Sequence, residues 1–599
     1  LILNKIIMKQ FFKSMFASFV GTLLTIFVVV LLFVGIISSI VAMSGDDETN
    51  VKDNSVLHIS WNAEIKDQGN DNPFEGFDFV TMQSKRPVGL YSILNNIDKA
   101  SKDERIDGIF LDMETLPAGM ATSEEIRNKL LEFKESGKFI ISYANGYDQK
   151  AYYLASLADE IYLNKEGMIL FKGLQAQLMF FKNLLDKLDI DMQIVRGPNN
   201  KYKSAVEPLM RDHVSKANRE QLQTLLNSMW GKLLVAISDS RDISIDDLNK
   251  IADKLEVNNA KKALELGFID GAIYRDELID ILKEKTGVEK DDKLKTVSFA
   301  KYTNAKVKSK KELGRDKIAI VFAEGSIVQG KSDGTNIGSV TTSKALSKAH
   351  KNDRVKAIVF RINSGGGDAL ASEIIRREVE LAMEKMPVIV SMGNVAASGG
   401  YWIATNADYI FAQPTTITGS IGVFGVIPNL GDMMNKKLGI TMDNIMTNEN
   451  SDFIDLFAPL KPYQQEKLDQ EITKIYTNFT ELVAETRGLD VSYVDSIARG
   501  RVWSGVDALK IGLIDGYGGL EDAVAYAAEK AELDDNYRIS TYPQKKDFIE
   551  QLVAELTGQA SQSIVKKELG EYYKFYENIH TIKSMKGVQA RLPYFMEIN

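Results

Sequence analysis

With 599 residues the chain exceeds what a single hydrophobic core serves, so two or more domains are expected. Hydrophobic residues make up 44% and charged residues 26%, the net charge is −9, and no basic patch argues for a nucleic-acid partner. There is no cysteine, which excludes disulfides, a thiol nucleophile and thiolate metal ligands, and the four histidines show no H-E-x-x-H spacing, so no metal or cofactor is expected.

Residues 14–45 carry no charged side chain, and from Phe16 to Val41 the chain is almost wholly apolar. A bilayer needs about 20 such residues, whereas a cleaved signal peptide has an apolar region of roughly 7–15, so 15–43 is predicted to be an uncleaved transmembrane anchor. Lys5, Lys9 and Lys13 precede it, and Asp46, Asp47 and Glu48 follow. The positive-inside rule then puts residues 1–14 in the cytoplasm and the body of the chain on the periplasmic side of a bacterial inner membrane. Leu1 is an unusual first residue, and Met8 is the alternative start.

The remainder repeats itself. A-D-E-I-Y at 158–162 matches A-D-Y-I-F at 407–411, and A-L-E-L-G-F-I-D-G at 263–271 matches A-L-K-I-G-L-I-D-G at 508–516. Between these pairs the stripe Leu222, Leu226, Met229, Leu233 is mirrored by Leu468, Ile472, Ile475, Phe479 at helical spacing. Two α/β copies are therefore expected, at 51–282 and 316–532, joined by a lysine-rich linker at 283–315. A tail at 533–599 follows. It holds an amphipathic candidate (Phe548, Leu552, Val553, Leu556) and an apolar-basic string at 588–594, which either docks on the globular body or lines the approach to a site.

In the second copy, 355–362 reads as a strand running into N-S-G-G-G-D at 363–368, after which Ile375, Val379 and Ala382 mark a helix. Three glycines let backbone approach a ligand closely, yet neither the dinucleotide nor the P-loop pattern is completed. Val388, Ile389 and Val390 predict a buried strand leading to G-N-V-A-A-S-G-G-Y-W-I-A at 393–404. Ser398 is thus expected where a strand turns into a helix, flanked by residues too small to shield its hydroxyl. The unpaired N–H groups of the following turn are placed to hold an oxyanion. Taken singly, each string also reads as an ordinary tight turn. Together they would face one another across the ends of neighbouring parallel strands, where open α/β sheets carry their sites.

R-I-N-S-G-G-G at 361–367, A-A-S-G-G-Y-W at 396–402 and T-G-S-I-G-V at 418–423, in that order, resemble the signal peptide peptidase A family in its long, duplicated form. The resemblance covers residues 50–540, and the family is related to the Clp protease and crotonase folds. It implies an α/β fold of two tandem Clp/crotonase-like repeats behind an N-terminal transmembrane helix. It also implies a serine endopeptidase with a Ser/Lys dyad and an acyl-enzyme intermediate, acting on released signal peptides and on short or unfolded peptides, and a bowl-shaped homotetramer beside the lipid bilayer. Where the family has proline in its glycine loop this chain has Gly365. The pair Gly366 and Gly367 is kept, and by resemblance it supplies one oxyanion N–H, with Gly399 supplying another.

A hydroxyl nucleophile needs a base. No histidine lies close to Ser398 in sequence, and His58 and His350 read as structural. In the first copy the place of Ser398 is taken by Gln149, and the glycine loop is replaced by T-L-P-A at 115–118. That copy instead has K-Y-K-S-A-V-E at 201–207, whose Y-K-S-A matches the lysine motif of the resembled family, while 450–452 in the second copy has no lysine. Each copy has lost what the other keeps, as expected if an ancestral dimer fused and then specialised. Lys203 is the base that the motif favours. Lys201, two residues away and able to share its strand face, is left open by the physics alone. Either would have to be desolvated to lose its proton near neutral pH. Two rivals remain: an acyl-CoA enzyme of the crotonase type, which would lack the anchor and the Ser/Lys pair, and a non-catalytic membrane scaffold, which would not need to keep Ser398, Lys203 and the glycine loop.

Overall fold

Runs of β-branched and aromatic residues, buried on both faces, form the central strands of each half, as parallel sheets require. The computed structural model describes residues 2–43, 49–69, 77–78, 83–84, 87–307, 314–534, 536–543, 588–592 and 597–598. In the second half the parallel strands follow the spatial order Arg538–Tyr542, Lys317–Glu324, Val355–Ser364, Val388–Ala397, Tyr409–Ala412, Gly516–Tyr517. The first half repeats that order with Thr296–Ser298, Ser55–Ile59, Ile106–Asp112, Phe139–Ala144, Glu160–Leu163 and Gly271–Ala272, again parallel. Each half also carries a 26-residue helix, Lys216–Arg241 and Pro462–Arg487. The sequence stripes fall on these helices, burying Leu222, Met229 and Leu233 on one, and Ile472 and Phe479 on the other.

The sixth strand of each sheet lies outside the expected copies. Thr296–Ser298 belongs to the stretch read as linker, where Val297, Phe299 and Tyr302 are buried, and Arg538–Tyr542 belongs to the stretch read as tail. Both strands are short and sit at a sheet edge, so their sequences lack the apolar run that marks the central strands.

The helix Ile2–Met43 includes a segment, Gln10–Val29, long and apolar enough to cross a membrane, with its side chains exposed. Leu1, the acidic Asp46, Asp47 and Glu48, the middle of the lysine-rich stretch and the amphipathic candidate Phe548 to Leu556 lie outside the described residues.

The halves are joined by buried polar contacts. Arg361, on the central strand Val355–Ser364 and fully buried, donates through Nε to Asp67 Oδ1 at 2.8 Å and through Nη2 to Glu125 Oε1 at 2.6 Å, both carboxylates belonging to the first half. Asn394 Nδ2 donates to Thr122 Oγ1 at 2.8 Å, and Thr415 Oγ1 to Glu124 at 2.7 Å. A second, mixed sheet spans the junction. Asp191–Val195 of the first half pairs antiparallel with Phe424–Asn429 of the second, and Val588–Arg591 lies between Phe424–Asn429 and Gly366–Asp368.

Candidate active site

Ser398 follows directly on the strand Val388–Ala397 and caps the short helix Gly399–Trp402. Its backbone, at φ 57° and ψ −117°, occupies a sparsely populated region that costs about 1–3 kcal/mol and persists only where the surroundings impose it. Here the imposing contacts are the Ser398 N–H, which donates to the Gly419 carbonyl at 2.7 Å, and the Ser398 carbonyl, which accepts from the Trp402 N–H at 2.8 Å. Tyr401 and Ile403 bury their side chains in the core and fix the turn from below.

Lys203 comes from the other half. It precedes the single turn Ser204–Val206, and the loop that bears it is clamped on two sides. Gln221, on the long helix Lys216–Arg241, donates to the Tyr202 carbonyl at 3.0 Å and to Ser204 Oγ at 3.2 Å. The Tyr202 N–H donates to the Arg499 carbonyl of the second half at 2.9 Å. The adjoining Gly500 has φ 76°, and a Cβ placed there would lie 2.5 Å from Lys203 Cβ, so only glycine lets the two backbones approach this closely.

The two side chains meet. Lys203 Nζ lies 2.7 Å from Ser398 Oγ, 3.0 Å from the Ser420 carbonyl oxygen and 3.0 Å from Ser420 Oγ. Ser398 is 0% and Lys203 1% exposed. Burial pushes the Lys203 ammonium well below the ordinary lysine value, because removing water penalises the charged form. Among the described residues no carboxylate forms an ion pair with it. Lys201, by contrast, is exposed, with its amine 4.8 Å above the Tyr202 ring. The described histidines are paired with carboxylates elsewhere: His58 with Asp112 and His350 with Glu378, each at 2.8 Å, and His213 with Asp212 on the surface.

The glycine loop closes beside Ser398. Gly366, at φ 93°, is in the left-handed region, and an added Cβ would stand 2.6 Å from the Gly399 nitrogen. Its own N–H donates to Ser364 Oγ at 3.1 Å. The Gly367 nitrogen would lie 3.1 Å from a Cβ on Gly399, so the Gly367 and Gly399 amides border one small space. Two further contributors carry little sequence signal. Ser420 lies inside the T-G-S-I-G-V string without marking itself as a partner of the lysine, and Gly500 sits in an unremarkable R-G-R. At the pseudo-equivalent place in the first half, Gln149 Oε1 accepts from the Lys172 and Gly173 N–H groups, both at 3.0 Å.

Comparison with known proteins agrees with the repeat. The model of "Peptidase family S49" matches twice, over residues 132–289 and 380–534. The chain is 38% identical to "Protease 4" of Haemophilus influenzae, over 74% of this chain and 73% of that one. It is 35% identical to "Serine protease SPPA, chloroplastic" of Arabidopsis thaliana, over 82% and 71%. A solved structure of ClpP1 from Listeria monocytogenes aligns with TM-score 0.23 and 18% identity, covering 34% of this chain and 92% of that one. With one matched segment spanning Lys203 and the other Ser398, the chain belongs to peptidase family S49 and is a serine protease.

Proposed function

We propose that the protein is a membrane-anchored serine endopeptidase whose nucleophile is Ser398 and whose general base is Lys203. The observation that carries this reading is the 2.7 Å approach of a buried amine, with no carboxylate paired to it among the described residues, to a buried hydroxyl on a strained turn. A neutral lysine accepts the hydroxyl proton as Oγ attacks a peptide carbonyl, and the Ser420 carbonyl and hydroxyl hold the ammonium as it forms. The Gly367 and Gly399 amides stabilise the tetrahedral oxyanion. Gly366 serves by conformation, since its own N–H is engaged by Ser364. The ammonium then protonates the leaving amine, and water, deprotonated by the regenerated amine, resolves the acyl-enzyme.

The substrates are released signal peptides and other short or unfolded chains. The name "Putative signal peptide peptidase SppA", given to an Enterococcus faecium protein 34% identical over 32% of this chain, supports that class. The helix with its apolar segment at Gln10–Val29 anchors the enzyme in the inner membrane, with the N-terminus cytoplasmic and the body periplasmic, where apolar peptides leave the bilayer. A homotetramer would limit access to extended chains, and no nucleic acid takes part. Purified protein in detergent should digest a fluorogenic signal-peptide substrate, and Ser398→Ala should lower kcat/KM by roughly 10⁴-fold or more. Full activity in Ser398→Ala or Lys203→Ala would sink the assignment.

A further inference from the structure

One side chain touches the supports of both the amine and the hydroxyl. Gln221, 1% exposed, lies on the long helix Lys216–Arg241 of the first half. Its Nε2 donates to the Tyr202 carbonyl at 3.0 Å and to Ser204 Oγ at 3.2 Å, the two residues that flank Lys203. Its Oε1 accepts the Val502 N–H of the second half at 3.2 Å. Val502 opens the strand Val502–Ser504, which pairs antiparallel with Ile417–Gly419 and sets Val502 opposite Gly419. The Gly419 carbonyl in turn accepts the Ser398 N–H at 2.7 Å. A single amide therefore links the neighbours of the amine to the strand pair on which the serine turn rests.

The surroundings fix which way that amide points. Turning it over would set its oxygen against the Tyr202 carbonyl and its N–H groups against the Val502 N–H. Asn218, one turn earlier on the same helix face, adds a second constraint. Its Oδ1 accepts from Gln221 Nε2 at 3.0 Å, while its Nδ2 donates to Glu207 Oε2 at 2.9 Å. Glu207 also accepts the Ser215 N–H at 3.3 Å, and Glu207 and Asn218 are both buried. Glu207 thus draws the Asn218 nitrogen to itself and leaves the Asn218 oxygen facing Gln221. Glutamate at 221 would oppose an oxygen to the Tyr202 carbonyl, and asparagine would fall a methylene short.

We infer that Gln221 is a positioning residue for the reaction: it locks the lysine loop of the first half to the serine-bearing strands of the second, and so keeps the Lys203 amine dry and within reach of the Ser398 hydroxyl. The inference rests on the Ser398/Lys203 reading. Lys203 heads a turn of only three residues, Ser204–Val206, so its place comes from the contacts around it. Burial is what loosens the proton on its amine. Without the Gln221 amide the loop relaxes and water reaches the amine. The proton is then held more tightly, and the free base forms only at higher pH.

The full chain in detergent is compared with Gln221→Ala, Gln221→Met and, on the exposed side of the same helix, Gln223→Met as a control. The rate at which a fluorophosphonate probe labels Ser398, and kcat and KM for a fluorogenic peptide, are followed from about pH 6 to about pH 10. Near neutral pH both Gln221 variants should lose at least about 10-fold in kcat with KM within about twofold of wild type. Their activity should return as the pH is raised, the acid limb lying about one pH unit or more above that of wild type. Gln223→Met should match wild type throughout. An acid limb that stays in place overturns the inference, whether activity is unchanged or falls equally at every pH, because a loss of fold lowers all points alike. Gln221→Met keeps the length of the side chain and stands in if the alanine variant does not fold; a methionine variant that also fails to fold shows a purely structural role and overturns the inference too. A wild type that neither takes up the probe nor digests the peptide sinks the Ser398/Lys203 reading itself.

Discussion

Replacing Lys203 by methionine separates chemistry from stability. The amine is buried, and its hydrogen-bond partners are the Ser398 hydroxyl and the carbonyl and hydroxyl of Ser420, none of them anionic. Burial therefore holds its pKa well below the ordinary lysine value. An unfolded lysine titrates near about 10.4, so below that pH the unfolded chain binds a proton that the native amine lacks. Stability is then lost as pH falls, at about 1.36 kcal/mol per pH unit, until the native amine takes up its own proton. Methionine has nearly the same reach and no proton to bind. Lys203→Met should therefore unfold at a higher temperature than wild type near pH 8, and its advantage should shrink as the pH is raised towards the unfolded lysine value. For a cooperative unit of about 200 residues the difference should change by about 4 °C per pH unit. The lost hydrogen bonds cost the variant about 1 kcal/mol each, an offset that leaves the slope untouched. Activity should drop about 10³-fold or more, and wild-type kcat/KM should rise with pH as the amine loses its proton in the free enzyme. Thermal midpoints of both proteins in detergent between pH 7 and 10 provide the check. A pH-independent difference, or a wild type that gains on the variant as pH falls, would show a charged lysine and refute the reasoning.

Three further substitutions probe what surrounds the pair. Ser420→Ala removes the hydroxyl 3.0 Å from the amine but keeps the carbonyl, so kcat should fall about 10-fold with KM little changed in steady-state kinetics. Gly366→Ala places a methyl 2.6 Å from the Gly399 nitrogen at a φ of 93°, and kcat/KM should fall at least about 10²-fold, with a loss of about 1–3 kcal/mol of stability read from thermal unfolding. Arg361→Met leaves Asp67 and Glu125 buried without their partner and should cost about 3–5 kcal/mol, seen as an early unfolding transition or increased proteolysis between the halves.

The sequence makes legible what is carried by dense local patterns. The central strands are rich in apolar runs, and the serine turn is flanked by small residues. The lysine is another matter. Nothing local separates Lys201 from Lys203, since both precede the same turn, and what distinguishes them is tertiary: Gln221 and Arg499 hold the loop, and Gly500 lets Lys203 sink inward. Only the Y-K-S-A motif points to the right one of the two for burial. Arg361 illustrates a second limit. In R-I-N-S-G-G-G it looks like part of the glycine motif, yet its partners Asp67 and Glu125 lie hundreds of positions earlier and join the halves rather than line the cleft. The strand at 588–591 is the third case, because it is short and its register comes from the glycine loop it meets.

Among the described residues the two halves are not equivalent at the positions of Ser398 and Lys203. In the first half the equivalent of Ser398 is Gln149, and its amide is spent on backbone: the oxygen accepts from Lys172 and Gly173, and the nitrogen donates to the Gly173 carbonyl at 3.2 Å. In the second half the place equivalent to the lysine motif holds Asp452, which pairs with Lys461 at 2.9 Å on a partly exposed surface. The first half thus holds an amide already spent on backbone where the second has Ser398, and the second holds a carboxylate where the first has its lysine motif. The Lys203–Ser398 contact forms where the first half's loop is pressed against the second half's turn, and the buried Arg361 contacts help hold that joint. Weakening that joint should therefore cost activity even in variants that leave Ser398 and Lys203 untouched.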